Sequence, residues 1–350
     1  MKTIAKYITV AVLILLLISV FIWSDSLKEG IKCGIDLCLN NLVPSLFAPM
    51  CICSLLVASG SLSPLEKAIG IVFKSSKIPP VCISVVCMSL IGGYPTGALL
   101  AEQLYVSGRI ERMSARWLVM CACGSGPAYI LLCVGGMLGS SYAGWILLLS
   151  HIISVILTAM IIPCRAKNNT VCGAIKYQQL DEAVVNSVYS SSRSMLLVCA
   201  YTVLFSGLMN IIKTAFQDTV YLALAPILEV SSGMAALCDG YPSLPLIAAA
   251  LGFGGISVIC QIKGVQKSVG TSFSSIIKAR LACAAVSYAV CSLLIRIFPS
   301  YKAVFSSHTA TVATATSHSY IFSGVLLIFC IVLLCSLKNR KRTVDFFKRI

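Results

Sequence analysis

The sequence predicts an all-α polytopic membrane protein with about eight transmembrane helices and two re-entrant helical hairpins in an inverted repeat. Of its 350 residues, 58% are apolar and 11% are charged, whereas soluble domains carry about 25% charged residues. Apolar stretches long enough to span a hydrocarbon core of about 30 Å recur along the chain. Short basic clusters separate these stretches, which is where orienting charges lie in membrane proteins.

The apolar stretches place the individual elements. Full spans are predicted near residues 4–23, 42–60, 117–138, 143–162, 194–212, 243–260, 281–298 and 320–337. The first has a basic start and no small-residue cleavage pattern after it, so we expect a retained signal anchor. Segments 79–100 and 219–242 are apolar but interrupted by glycine, proline and acidic residues.

Basic residues set the predicted topology. Loops rich in lysine and arginine belong in the cytoplasm. This rule places inside the N-terminus, the C-terminal tail and residues 61–78, 101–116, 163–193 and 261–280. Residues 24–41 and 299–319 are then outside. Segments 79–100 and 219–242 must each begin and end on one side, so we predict hairpins that enter from opposite faces.

The resulting order of elements divides the chain. Residues 1–34 form a signal-anchor helix with a connector, and residues 301–350 a last span with a basic tail. Residues 35–165 form a first repeat unit and 166–300 a second one. Both units run span, hairpin, span, but in opposite orientations, an arrangement typical of many secondary transporters.

Two motifs in each unit break an apolar segment, and they supply the candidate solute site. Glycine and proline interrupt helices there. Irregular backbone at membrane depth survives only when buried in protein or lining a wet cavity. Helix N-termini freed at such breaks suit an anionic group, although small residues also serve helix packing alone. The candidate substrate-binding residues are Gly92, Gly93, Tyr94, Pro95, Thr96, Gly97, Ser125, Gly126, Glu229, Ser231, Ser232, Gly254, Gly255 and Ser257.

Two titratable residues lie within apolar surroundings. An ionised Glu229 at membrane depth costs several kcal/mol unless paired or hydrated. It is therefore interpreted as a ligand of a coupling ion or a proton carrier, with helix capping as the alternative. His151 could titrate near neutral pH, but a histidine hydrogen-bonded to a neighbouring helix explains it as well.

Composition and motifs also exclude several functions. No basic surface remains for nucleic acid once the spans are assigned. The 18 cysteines fall mostly in apolar stretches and behave as small hydrophobes. No paired metal-ligand spacing, nucleotide loop or catalytic pair is present, so we expect no enzyme activity, metal or cofactor. The expected partners are a small solute, the lipid bilayer and a coupling ion, either a proton or sodium, and a homo-oligomer remains open.

Four motifs in the same order resemble those of the YlbJ-type sporulation integral membrane proteins. They are Ser89–Ala98 with Glu102–Tyr105 and Gly108–Ile110, then Gly124–Pro127, Leu228–Gly233 and Gly252–Ser257. The second motif lacks the asparagine usual in that family. The resemblance covers about residues 35–300. That family belongs with the Gate-domain, or nucleoside-recognition, membrane proteins, which resemble concentrative nucleoside transporters in design.

The resemblance implies a specific role. Such a protein would carry dipicolinate across the outer forespore membrane from the mother cell and support maturation of the spore cortex and core. The residues alone leave alternatives open. A transporter of nucleosides or another small solute, and a scaffold for spore assembly that transports nothing, both fit a polytopic chain of this kind.

Overall fold

The computed structural model describes residues 2–72, 78–122, 124–164, 177–216, 218–240 and 243–298. This part of the chain is helical throughout, with short connections and no β-strand. The predicted span at 320–337, the loop at 299–319 and the basic tail lie outside the described residues. The all-helical class predicted from the sequence is confirmed for the rest.

The helices follow one another with short breaks. In chain order they are α1 (Lys2–Ile22), α2 (Ser24–Leu37), α3 (Val43–Ala58), α4 (Ser63–Val72), α5 (Pro80–Gly92), α6 (Thr96–Val106), α7 (Arg112–Cys121), α8 (Gly135–Met137), α9 (Ser141–Ile161), α10 (Leu180–Ala215), α11 (Asp218–Leu228), α12 (Val230–Gly240), α13 (Leu244–Phe253), α14 (Gly255–Val265) and α15 (Phe273–Ile297). Two π-helical turns, Cys38–Leu42 and Tyr129–Val134, lead into α3 and α8.

Five helical stretches are long and apolar enough to cross a membrane. They are Ser24–Ala58, Ser141–Ile161, Leu180–Ala215, Leu244–Val265 and Phe273–Ile297. Each contains or closely overlaps one predicted span. Helix α1 coincides with the predicted anchor.

The connector predicted at residues 24–41 is instead a helix. Helix α2 continues through the first π-turn into α3, so this region is helical to Ala58. Its packing explains why. A methyl group on Gly30 would lie 2.6 Å from the carbonyl oxygen of Ser206, and one on Gly34 would lie 3.0 Å from the Ser206 side chain. These small residues let α2 lie directly against α10, where Glu29 also accepts a hydrogen bond from Asn210 at 3.4 Å.

Two other boundaries differ from the prediction. The span predicted at 117–138 is interrupted, because α7 ends at Cys121 and the chain becomes helical again near Pro127. Helix α15 begins at Phe273, so Arg280 lies inside a helix and not in the cytoplasmic loop predicted for residues 261–280. Both differences fall beside the candidate site.

The interrupted segments 79–100 and 219–242 are pairs of short helices. Cys53 lies beside Met88 of α5, and the adjacent Ser54 is hydrogen-bonded to Gln103 of α6, so the chain reverses between these two helices. In the second pair, a methyl group on Gly240 would lie 2.6 Å from the Leu222 side chain. With 13 residues in α5 and 11 in each of the others, these helices are about 17–20 Å long, too short to span the bilayer core.

Candidate functional site at the four helix breaks

All four breaks in the apolar segments meet at the centre of the described structure. Gly93, at the tip between α5 and α6, packs on the break after α7, where its added methyl would lie 3.0 Å from the Gly126 nitrogen. Gly255, at the break between α13 and α14, packs on the tip between α11 and α12. A methyl group added to Gly255 would lie 3.2 Å from the Leu228 carbonyl oxygen. A methyl on Gly254 would lie 3.2 Å from the Tyr94 ring.

A cavity of about 40 Å³ lies where these breaks meet. Five predicted site residues line it: Tyr94, Ser125, Gly126, Glu229 and Ser231. Residues that the sequence analysis did not single out complete the wall, among them Tyr129 from the second π-turn, Val198 and Thr202 from α10 and Gln261 from α14. The sequence could have indicated Gln261 as a site residue, because it is a polar residue inside an apolar helix.

The remaining predicted residues shape the breaks without lining the cavity. Thr96 donates a hydrogen bond to the Gly92 oxygen at 2.9 Å and starts α6. Gly97 packs on the Ala122 carbonyl, where a methyl group would collide. Ser257 is buried in α14. Pro95 precedes α6 and is also buried.

Glu229 forms the tip of the second hairpin and is 1% exposed. Its carboxylate accepts a hydrogen bond from the Ser232 backbone nitrogen at 2.6 Å. Because Ser232 is the third residue of α12, this is the geometry of a helix N-cap. Glu229 therefore caps a helix, as the alternative interpretation of this residue expected, and it also lines the central cavity.

Ser125 and His151 hold the break after α7. The Ser125 backbone nitrogen donates to Nε2 of the buried His151 at 2.9 Å. A nitrogen that accepts a hydrogen bond carries no proton, so the ring has the tautomer protonated on Nδ1 if it is neutral. Ser125 lines the cavity, and its buried hydroxyl has no hydrogen-bond partner within the described ranges.

Arg280 is the residue that sequence reasoning missed. It is 1% exposed, and its guanidinium donates to the Phe253 carbonyl at 3.1 Å and to the Gly252 carbonyl. A third bond, 2.7 Å long, reaches the Tyr94 hydroxyl, and the guanidinium lies 5.2 Å from the centre of that ring. Arg280 thus caps the negative end of the α13 dipole and ties it to the first hairpin tip.

Tyr94 also bridges the two halves of the chain. Its hydroxyl donates to the Leu251 carbonyl at 2.6 Å. With Arg280, this tyrosine joins the first hairpin tip to the last turn of α13. The sequence offered one signal for this arrangement, an arginine within a mostly apolar helix, but its position after three nearby lysines favoured a loop.

Metal ligation finds no support in the described ranges, where no group of three or more histidine, cysteine or acidic side chains could hold an ion. The arrangement is one of polar groups and helix ends around a small cavity. No family model, no curated protein and no solved structure matches the chain.

Proposed function

We propose that this chain is a membrane transporter of a small anionic solute, with the central cavity as its substrate site. One observation carries the proposal: two hairpin tips and two helix breaks, half of them from each part of the chain, meet at one small cavity that Glu229 lines among mostly apolar side chains. Transporters build solute sites from discontinuous helices at membrane depth. Broken backbone in that position is tolerated because it is buried in protein.

The charges at the breaks favour an anion when Glu229 is neutral. Helices α6, α12 and α14 begin at these breaks with partly positive N-termini, and α5, α11 and α13 end there with partly negative C-termini, of which Arg280 covers that of α13. An ionised Glu229 would oppose an anion there. We propose that Glu229 takes up a proton as the solute binds, which removes the repulsion and couples transport to protons.

The size of the cavity requires movement. At about 40 Å³ it is far smaller than ordinary small-molecule pockets, which measure about 300–1,000 Å³. A solute of several carbon atoms must therefore displace one wall. We propose that the second hairpin moves. Its first helix, α11, has a single buried residue, Ala225, so little packing holds that helix in place.

The finer identity rests on the resemblance to the YlbJ-type proteins. It proposes dipicolinate as the solute and the outer forespore membrane as the location, while the basic residues near both ends of the chain propose cytoplasmic termini. A rigid dicarboxylate is compatible with helix N-termini. The alternating movement of two inverted units about the site belongs to the same proposal.

Uptake of labelled dipicolinate into proteoliposomes holding the purified full chain tests this function, with uridine as the comparison solute. We expect saturable dipicolinate uptake that rises when the outside is acidified. Glu229→Gln should abolish the response to the pH gradient. Glu182→Gln is the matched control, because Glu182 is exposed in the first turn of α10, away from the cavity.

Each outcome of the uptake experiment tests a different part of the proposed function. Dipicolinate uptake that needs Glu229 supports both the solute class and the site. Uridine uptake without dipicolinate uptake would reject the anionic solute while keeping a transporter. Normal pH-driven uptake by Glu229→Gln would remove Glu229 from proton coupling. Uptake of neither solute by correctly folded protein would reject the transport proposal.

A further inference from the structure

A second and larger cavity opens beside the central one. It has a volume of about 460 Å³ and is lined by α6, the N-terminal half of α10 and the C-terminal ends of α3 and α14. Small-molecule pockets usually measure about 300–1,000 Å³. This space is therefore large enough for an organic solute, whereas the central cavity is not.

The wall of the larger cavity contains buried polar groups that are not fully paired. Gln103 donates to the Ser54 hydroxyl at 2.6 Å and to the Ser190 hydroxyl at 3.0 Å. Its side-chain oxygen is buried without a partner in the described part of the chain, and so is the hydroxyl of Ser187, which is 2% exposed. Buried polar atoms are normally hydrogen-bonded, but these two atoms have almost no accessible surface, so a ligand in the cavity could reach them only if the wall moved.

Two cationic side chains at this cavity are not neutralised. Arg193 of α10 and Lys267 after α14 both line it and are exposed. Neither forms an ion pair within the described ranges. A cavity edged by like charges raises the local concentration of oppositely charged solutes.

The other two charges at the cavity are already engaged. Arg109 pairs with Glu66 at 2.9 Å and donates to the Val57 carbonyl. Glu102 accepts from the Ser268 and Val269 backbone nitrogens at 2.7 and 3.1 Å. Glu102 keeps its negative charge, because backbone N–H groups are neutral. Beside the Arg109–Glu66 pair, the lining therefore holds two positive charges, Arg193 and Lys267, against one negative charge, Glu102.

The two cavities share their walls. Helix α14 presents Gln261 to the central cavity and Gly264 to the larger one, and these residues lie about 4.5 Å apart along the axis. Helix α10 presents Val198 to the central cavity and Leu197 to the larger one. About one helical turn thus separates the two spaces.

We infer that the larger cavity is a loading site, which binds a carboxylate-bearing solute before it passes to the central site. This inference rests on the proposed transport function and adds a second binding step. Arg193 and Lys267, which both line the cavity, attract the carboxylates of the solute. In the proposed topology the loading site faces the cytoplasm.

The test neutralises the two free cations. Arg193→Gln combined with Lys267→Gln should weaken equilibrium binding of dipicolinate to the purified chain about threefold to tenfold, since exposed charges contribute up to about 1 kcal/mol each. The KM for uptake should rise by a similar factor with an unchanged maximal rate. The matched control, Lys278→Gln with Lys32→Gln, removes two exposed lysines that line neither cavity and should change nothing.

Added salt and a neutral solute separate this effect from general damage. The difference between the wild type and the double variant should shrink from about 10 mM to about 1 M salt, where the Debye length falls from about 30 Å to about 3 Å. Uridine uptake, if present, should be unaffected. An equal loss for both solutes would overturn the inference, because damage to the fold would explain it.

Binding and transport distinguish the loading site from the proposed function. Glu229→Gln should retain dipicolinate binding while losing proton-driven uptake. Binding that depends on Arg193 and Lys267, in a protein that transports nothing, would keep the loading site and reject the transporter. No saturable binding by the wild type, or wild-type affinity in the double variant, would overturn the loading site.

Discussion

The two hairpins have the same plan but are held in different ways. The tip of the first hairpin is tied to the other half of the chain, because Tyr94 donates to Leu251 and receives a hydrogen bond from Arg280. The tip of the second hairpin carries a local hydrogen bond, because Glu229 caps the helix that follows it, and the backbone at Gly255 packs on this tip. Long-range side-chain hydrogen bonds therefore hold the first tip, whereas a local cap and backbone packing hold the second.

Burial shows the same contrast. Six residues of α5 and seven of α6 are buried, compared with one of α11 and six of α12. The arm α11 lies at the edge and packs on α12 through Gly233, beside Pro226. The two hairpins therefore have different proposed roles: the first is a fixed wall of the site, and the second is its gate. Four substitutions test this division, here ordered by their expected effect on the free energy of unfolding.

Arg280→Leu should have the largest effect. It would remove the hydrogen bonds from Arg280 to the Gly252 carbonyl, the Phe253 carbonyl and the Tyr94 hydroxyl. Each such loss at a buried group costs about 1–3 kcal/mol of folding free energy. We expect a total loss of about 3–5 kcal/mol in denaturant unfolding of the full chain in detergent. Arg296→Leu, at an exposed site on the same helix, is the control. Equal stability of the two variants would show that Arg280 does not anchor the first hairpin.

Gly97→Ala should destabilise the protein by about 1–3 kcal/mol, because its methyl would collide with the fixed Ala122 backbone. Gly233→Ala also meets backbone, at Pro226, but that residue belongs to the same hairpin and can move with it. We expect a smaller loss there. Gly136→Ala, with open space around it, should be neutral or stabilising. A larger loss for Gly233→Ala than for Gly97→Ala would reverse the assignment of wall and gate.

Tyr94→Phe should cost about 1–2 kcal/mol, because it removes the hydrogen bond to the Leu251 carbonyl and leaves that group unpaired. Tyr288→Phe, at an exposed position of α15, is the matched control. Combined with Arg280→Leu, the change should cost less than the sum of the two single losses, since both residues belong to one network. Simple additivity in unfolding experiments would contradict the shared anchor.

Glu229→Ala should have the smallest effect on stability, about 1 kcal/mol, which is typical for the loss of an N-cap. Glu182→Ala controls for the removal of an exposed glutamate. The same unfolding assay measures both. A loss of several kcal/mol at Glu229 would mean that the second tip is anchored as firmly as the first, and the contrast between the hairpins would disappear.

Sequence reasoning located the breaks but could not assign their roles. Glycine and proline within apolar segments indicated both hairpin tips and both broken helices, because these residues disrupt helices wherever they occur. It placed Arg280 in a loop, since local charge density favoured that choice. The partners of Arg280 are backbone carbonyls nearly thirty residues away, and no local pattern encodes them.

The helical connector shows the same limit. The predicted topology left residues 24–41 as a connector outside the membrane, yet Gly30 and Gly34 pack on α10 from much later in the chain. The loading cavity likewise combines side chains from α6, α10 and α14, so its lining could not be read from any one segment.

The sequence by itself determined the all-helical class and the apolar elements, because hydropathy and backbone interruption are properties of neighbouring residues. It also determined which short segments would be irregular. The tertiary structure alone decided which irregular segments meet, which hairpin is anchored and where the solute-sized space lies. Those features depend on contacts between distant parts of the chain, whose free energy arises only when the helices pack together.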